Sequence, residues 1–202
     1  VNHYFEESKI FYDITNLDNF ENFLKENGLK VSAIVTEIPT NPLVQTVDLE
    51  KLKNLCNSYN IPLVIDSTFA TPYNLNLKPY ADVFVESLTK FASGNADVLM
   101  GAVILNQNSK ISHISYEFFK HADEPYIKDI QRIAFQIKDY EKRVKKISQN
   151  TKQLASYLEN APFIDKVFYC LSSDYKENYE KLMIDDNSLC GIISITFKKD
   201  FQ

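Results

Sequence analysis

The sequence is poor in several features that mark common kinds of site. It has four glycines in 202 residues, and neither a G-x-G-x-x-G nor a P-loop pattern occurs. Any phosphate group must therefore depend more on side-chain hydroxyls than on a glycine-rich loop. The three cysteines, Cys56, Cys170 and Cys190, are widely spaced, which favours neither a disulfide framework nor a zinc site. We expect them to be ordinary core thiols.

Long apolar runs and an excess of basic residues are also missing. No apolar run is long enough to span a bilayer, and a net charge of -5 without a basic stripe gives no electrostatic reason to expect nucleic acid as a partner. The chain opens at Val1 without an initiator methionine or a secretory leader. We therefore expect a soluble, cytoplasmic protein that is cut from a longer one.

The apolar pattern alternates between strands and helices, which favours an α/β sheet with helices on both faces. Residues 126–161 contain neither glycine nor proline and predict one long helix, straight or bent. Shorter helices are predicted over 17–26, from an Asp48 cap to Tyr59, and over 175–183. Strands are predicted at 9–12, 31–37, 63–66, 82–86, 98–105, 166–169 and 191–197.

The segment from Glu86 to Phe91 carries the clearest chemical signal. It places Lys90 just past a predicted strand, and Asp66 ends the preceding buried strand. Since sites in open α/β sheets form at the carboxyl ends of strands, the acid and the amine can meet at one edge. Pyridoxal phosphate chemistry uses such a pair: the amine bonds to the cofactor aldehyde, and the carboxylate keeps the pyridine nitrogen protonated.

Two hydroxyls precede the lysine. In an extended segment Ser87 and Thr89 point the same way, so both can face one phosphate. Each of these residues also has a purely structural explanation. Asp66 can cap a turn, the hydroxyls can satisfy backbone groups, and a lysine after a strand is usually a solvated surface residue.

Three segments, in this order, resemble the signatures of the cystathionine gamma-synthase/cystathionine beta-lyase family, PLP-dependent enzymes of cysteine and methionine metabolism. The segments are PTNPL at 39–43, VIDSTFATP at 64–72, and SLTK at 87–90 with SGNADV at 93–98. Residues 138–144 and 191–197 are similar to later family segments, so the resemblance runs over nearly the whole chain.

The resemblance implies pyridoxal 5'-phosphate as the cofactor and assigns five site residues. Lys90 matches the lysine that binds the cofactor covalently, and Asp66 matches the pyridinium partner. Ser87 and Thr89 match the phosphate-binding hydroxyls. Asn41 matches an asparagine near the phenolic oxygen of the cofactor and the substrate carboxylate; on its residues alone it is equally a turn residue between prolines.

The sequence also departs from the family pattern. Glu86 stands where the family usually has a histidine, Ser93-Gly94 replaces a pair of glycines, and Phe135-Gln136 replaces an Arg-Gly pair. The first two changes leave the proposed chemistry untouched, whereas the Phe135-Gln136 change indicates a divergent branch, for which we expect a different substrate.

The implied fold is fold type I of the PLP-dependent transferases, aspartate aminotransferase-like. Residues 1–140 are expected to form a three-layer α/β/α large domain that lacks its N-terminal part, and 141–202 the beginning of a truncated small C-terminal α/β domain. The implied activity is elimination or gamma-replacement on a sulfur amino acid or an O-acylhomoserine, in a homo-oligomer that is a tetramer at full length. The alternatives are another fold type I enzyme, such as an aminotransferase, or a catalytically incompetent piece that only binds cofactor.

Overall fold

The computed structural model describes residues 8–114, 119–172 and 176–201. Its centre is a four-stranded sheet in the order β1-β2-β3-β4. β1 (Ile34–Glu37), β2 (Leu63–Asp66) and β3 (Val83–Ser87) are parallel, and β4 (Gly101–Leu105) is antiparallel to β3.

The helices between the strands make the crossovers that a parallel sheet requires. α1 (Asp18–Asn27) precedes β1, and α2 (Leu49–Ser58) connects β1 to β2. The Asp48 side chain caps α2 by accepting a hydrogen bond from the Lys51 amide at 3.0 Å, as the sequence predicted. The short α3 (Thr71–Asn74) follows β2.

The long helix predicted over 126–161 is present and is interrupted. α4 (Ile127–Gln136) runs through a 3₁₀ turn at Ile137–Asp139 into α5 (Tyr140–Glu159). No helix in the described part of the chain is long and apolar enough to cross a membrane.

A second, two-stranded antiparallel sheet lies near the end of the chain. It pairs β5 (Ile164–Phe168) with β6 (Ser194–Phe197). Between them lies α6 (Lys176–Glu180). The helix predicted over 175–183 is therefore shorter than expected, and Tyr175 lies outside the described residues.

Two buried clusters form the core. The larger joins the sheet to α1 and α2 and extends to the C-terminal segment, where Cys170, Tyr179 and Cys190 are fully buried. The smaller lies between α4, α5 and the segment after β3. All three cysteines are buried and free, which confirms them as core thiols.

The strand predicted over 9–12 is wrong. Residues 9–11 have no regular structure. The Phe11 side chain packs onto α1, and the segment does not pair in a sheet. The Phe11 ring meets the rings of Phe20 and Phe23 edge-on, at centroid distances of 5.2 and 5.4 Å.

Candidate active site

The carboxyl edge of the sheet gathers acidic side chains. Glu37 and Asp66 are register neighbours on β1 and β2, and Asp66 is the neighbour of Val85 on β3. Since paired residues of parallel strands share a face and side chains alternate along each strand, Glu37, Asp66 and Ser87 lie on one face and Glu86 lies on the other. The fold thus brings two of the predicted site residues, Asp66 and Ser87, to the same face at the same edge.

Short hydrogen bonds tie the ends of β2 and β3 together. The Asp66 carboxylate accepts from the Thr68 amide at 2.9 Å, so it does cap the turn after β2. Thr68 in turn accepts from the Ser87 amide at 2.9 Å, and the Ser67 amide donates to the Val85 carbonyl at 2.9 Å. These contacts fix the position of Ser87 relative to Asp66, and they leave the second carboxylate oxygen of Asp66 without a partner among the described residues.

Lys90 lies in a single π-helical turn, Leu88–Ala92, directly after β3. Its own backbone angles, φ -85° and ψ -111°, are not helical, and its side chain is exposed. Its carbonyl accepts from the Gly94 amide at 2.9 Å. Within the described ranges the Lys90 amine has no hydrogen bond or ion-pair partner. It is therefore available to a ligand.

The two predicted phosphate-binding hydroxyls differ in their contacts. The Thr89 hydroxyl accepts a long hydrogen bond of 3.4 Å from the Met100 amide. The Ser87 hydroxyl has no partner in the part of the chain that the structure describes, although the residue is half-buried.

Asn41 is joined to the acidic edge through Glu37. Its backbone amide donates to Glu37 Oε2 at 2.9 Å, while the residue itself is exposed. Burial raises the pKa of Glu37, the Asn41 amide lowers it, and the nearby Asp66 raises it further; the net shift is upward. The Asn41 loop therefore lies one strand away from Asp66.

Glu86 lies behind this face, buried at 8 % exposure. The Tyr140 hydroxyl, at the start of α5, donates a hydrogen bond to Glu86 Oε1. Burial raises the pKa of Glu86, the bond from Tyr140 lowers it, and the charge of Asp66 raises it; the net shift is upward. The Tyr73 ring meets the Tyr140 ring edge-on, at a centroid distance of 5.1 Å.

Arg143, one turn after Tyr140 on α5, holds the lysine-bearing turn. Its guanidinium donates to the Phe91 carbonyl at 2.9 Å and to the Ala92 carbonyl at 2.7 Å. Gly94 has a φ of +76°, and a Cβ at this position would collide with the Arg143 side chain. Both reasons favour glycine at position 94.

Sequence reasoning missed Glu37 as a neighbour of the site, and it missed Tyr140 and Arg143. Glu37 carried a usable signal, because it ends a predicted strand in the same way as Asp66. The two helix residues carried none, because they contact the segment 86–92 only after the chain has folded.

The architecture is that of fold type I PLP-dependent enzymes. The chain superposes on cystathionine gamma-lyase of Lactobacillus plantarum with a TM-score of 0.86 at 22% identity, covering 99% of this chain and 52% of that one. Residues 1–202 match the model of the family described as Cys/Met metabolism PLP-dependent enzymes. The chain belongs to this family.

Two curated relatives illustrate its range. The chain is 34% identical over 170 residues to L-2-amino-4-chloropent-4-enoate dechlorinase/desaturase of Streptantibioticus cattleyicolor, covering 84% of this chain and 34% of that protein. It is 31% identical over 195 residues to cystathionine gamma-synthase of Saccharomyces cerevisiae, covering 92% of this chain and 30% of that protein. The chain thus spans about a third of the length of these curated relatives.

Proposed function

We propose that this chain carries the cofactor-binding centre of a PLP-dependent enzyme that acts on a sulfur amino acid or an O-acylhomoserine, by elimination or by gamma-replacement. The observation that supports it is the shared face of Asp66 and Ser87 at the sheet edge, with the Lys90 amine three residues beyond, which no group in the described ranges binds. Family membership supplies the reaction class.

The donor set fits pyridoxal 5'-phosphate. Among the residues that the structure describes, one carboxylate oxygen of Asp66 has no partner and can accept from a protonated pyridine nitrogen. The Ser87 hydroxyl has no partner there either and can donate to the phosphate, with Thr89 beside it. Asn41 has an exposed amide for the phenolic oxygen of the cofactor and the substrate carboxylate. When bound, the cofactor supplies an electron sink that stabilises negative charge at the substrate α-carbon.

The chain's own residues then have two tasks. Asp66 holds a negative charge beside the pyridine nitrogen, and the neighbouring Glu37 adds to the negative potential at that edge. The Lys90 amine removes the proton from the substrate α-carbon and returns a proton when the reaction closes. Its position after the strand and its exposed side chain give the amine access to both cofactor and substrate.

Reductive trapping tests this proposal. The purified protein is mixed with pyridoxal phosphate and reduced with borohydride, and the modified peptide is located by mass spectrometry. We expect one adduct per chain at Lys90, none at this position in Lys90→Ala, and wild-type labelling in the control Lys78→Ala, which removes another exposed lysine. Labelling scattered over surface lysines would contradict the proposal.

The wider organisation is part of the same proposal. Residues 1–140 belong to the large domain and 141–202 to the beginning of the small one, in a cytoplasmic homo-tetramer with a small amino-acid substrate. The exposed side chains of Tyr126, Ile127 and Phe135 on and beside α4 support a subunit contact there, because large apolar groups in one area favour association. Light scattering of the purified protein would test the tetramer.

A further inference from the structure

The turn that carries Lys90 is held from behind by one face of α5. Tyr140 and Arg143 are three residues apart, so they lie on the same side of the helix. Tyr140 donates to the side chain of Glu86, which precedes the turn. Arg143 donates to the carbonyls of Phe91 and Ala92, which are the last residues of the turn. Lys90 is thus bracketed by two anchors on one rigid element.

The Glu86 anchor is the unusual one. Arg143 donates to backbone carbonyls, which any sequence provides, whereas the Glu86–Tyr140 bond needs two particular side chains. Both are buried, Glu86 at 8 % and Tyr140 at 3 % exposure. A bond between a carboxyl and a hydroxyl in such an environment is stronger than the same bond in water.

We propose that the Glu86–Tyr140 pair is a positioning element, which anchors the turn carrying Lys90 to α5 and so sets the reach of the Lys90 amine towards the cofactor. Glu86 acts from the face opposite to Asp66 and Ser87, so it touches neither cofactor nor substrate. The role at Lys90 rests on the proposed function, while the anchoring itself does not.

The anchor responds to pH through Glu86. Tyr140 on α5 donates to Glu86, and the charge of Asp66 on β2 acts on Glu86 from the other face of the sheet. Arg143 on α5 and Tyr73 on α3 act on Tyr140, and the β4 residue paired with Glu86 is the uncharged Ala102. An ionised carboxylate accepts a stronger bond from Tyr140 than a protonated one. The anchor therefore tightens as Glu86 loses its proton, at a pH above the ordinary value for glutamate because burial and Asp66 hold the proton on.

The test compares Tyr140→Phe with Ser148→Ala. Each variant removes one buried hydroxyl from α5. The Ser148 hydroxyl lies about two turns further along the helix, within hydrogen-bond distance of the Leu189 carbonyl at 2.8 Å, the Val144 carbonyl at 3.1 Å and Asn74 Oδ1 at 3.2 Å. Hydrogen exchange of the Ser93 and Gly94 amides, measured without cofactor, reports the anchoring. We expect about fivefold faster exchange in Tyr140→Phe and wild-type exchange in Ser148→Ala.

Reductive trapping of pyridoxal phosphate at Lys90 reports the positioning. We expect Tyr140→Phe to trap about fivefold less than the wild type. Glu86→Gln keeps an oxygen that accepts from Tyr140, so it should trap well at neutral pH but lose the rise in trapping with pH that the wild type shows as Glu86 ionises. Ser148→Ala should match the wild type throughout.

The outcomes separate the two proposals. Equal exchange in Tyr140→Phe and Ser148→Ala would overturn the anchoring, with or without cofactor. Faster exchange together with unchanged trapping at Lys90 would overturn the positioning role. If the wild type itself traps nothing at Lys90, the proposed function fails, and the exchange experiment still decides whether the pair anchors the turn.

Discussion

The two ends of β3 each bury a carboxyl group, and the two are held in opposite ways. Asp82, just before the strand, is 9 % exposed and accepts from the Leu63 amide at 2.8 Å, the Lys53 ammonium at 2.7 Å and the Ser109 hydroxyl at 2.6 Å. Glu86, near the other end, is 8 % exposed and is bonded by the Tyr140 hydroxyl. The two carboxyl groups are thus about equally buried, but Asp82 accepts from three donors and Glu86 from one among the described residues.

The pKa values follow from this difference. Burial by itself raises the pKa of both groups. At Asp82 the hydrogen bonds from Leu63, Lys53 and Ser109 outweigh burial, so the pKa is lowered. At Glu86 the single bond from Tyr140 does not, and the charge of Asp66 adds to burial, so the pKa is raised. Asp82, at the amino end of the strand, stabilises the fold through its hydrogen bonds. Glu86, at the carboxyl end, is a titratable group beside the candidate site.

The largest effect on stability is expected at Asp82. Asp82→Asn removes the counter-charge of Lys53, whose side chain is only 17% exposed, and should lower the free energy of unfolding by about 3 kcal/mol at pH 7. Urea titration measures it. The exposed Asp186→Asn is the matched control and should leave the midpoint unchanged; equal shifts in the two variants would refute the structural role of Asp82.

A smaller change tests whether the donors at Asp82 act separately. Ser109→Ala removes the bond to the charged Asp82 and the bond that the Ser109 hydroxyl accepts from the Ile111 amide at 3.2 Å, while the Lys53 and Leu63 bonds to Asp82 are retained. We expect a cost of about 1.5 kcal/mol. The same urea titration applies. A loss as large as that of Asp82→Asn would show that the three donors act as one unit.

The smallest effect is a difference in pH dependence. A carboxyl with a raised native pKa binds its proton more tightly when folded. Its stabilisation is therefore full below the unfolded value, near 4.5 for Glu86, and declines as the pH rises through the native value. Asp82 acts in the opposite sense: its contribution is present above about 3.8 and is lost as the pH falls through its lowered native value.

Glu86→Gln removes the first of these dependences. Relative to the wild type, we expect the variant to gain stability as the pH rises above 4.5, measured by thermal unfolding at several pH values. Asp82→Asn should show its penalty shrinking as the pH falls below 3.8. Parallel pH profiles for Glu86→Gln and the wild type would mean that the pKa of Glu86 is not raised.

Much of this arrangement was predictable from local patterns. Hydrophobic periodicity and motif order predict four of its features: Asp66 at a strand end, Lys90 just past the next strand, the Asp48 cap and the long helix. What the sequence did not reveal depends on contacts between distant segments. The Glu86–Tyr140 bond joins residues 54 positions apart, and the reversed direction of β4 is absent from its apolar pattern, because alternation does not encode strand direction.

The reversal of β4 has a consequence for the segment between β3 and β4. Residues 88–100 leave the sheet and return to it at the same place: the Leu88 amide donates to the Met100 carbonyl at 3.0 Å, and Ser87 pairs with Gly101. The excursion is closed at its base, so the entropy of ordering it depends on its own length. The sheet therefore fixes both ends of the excursion, at Ser87 and Gly101, whatever the length or sequence of the residues between them.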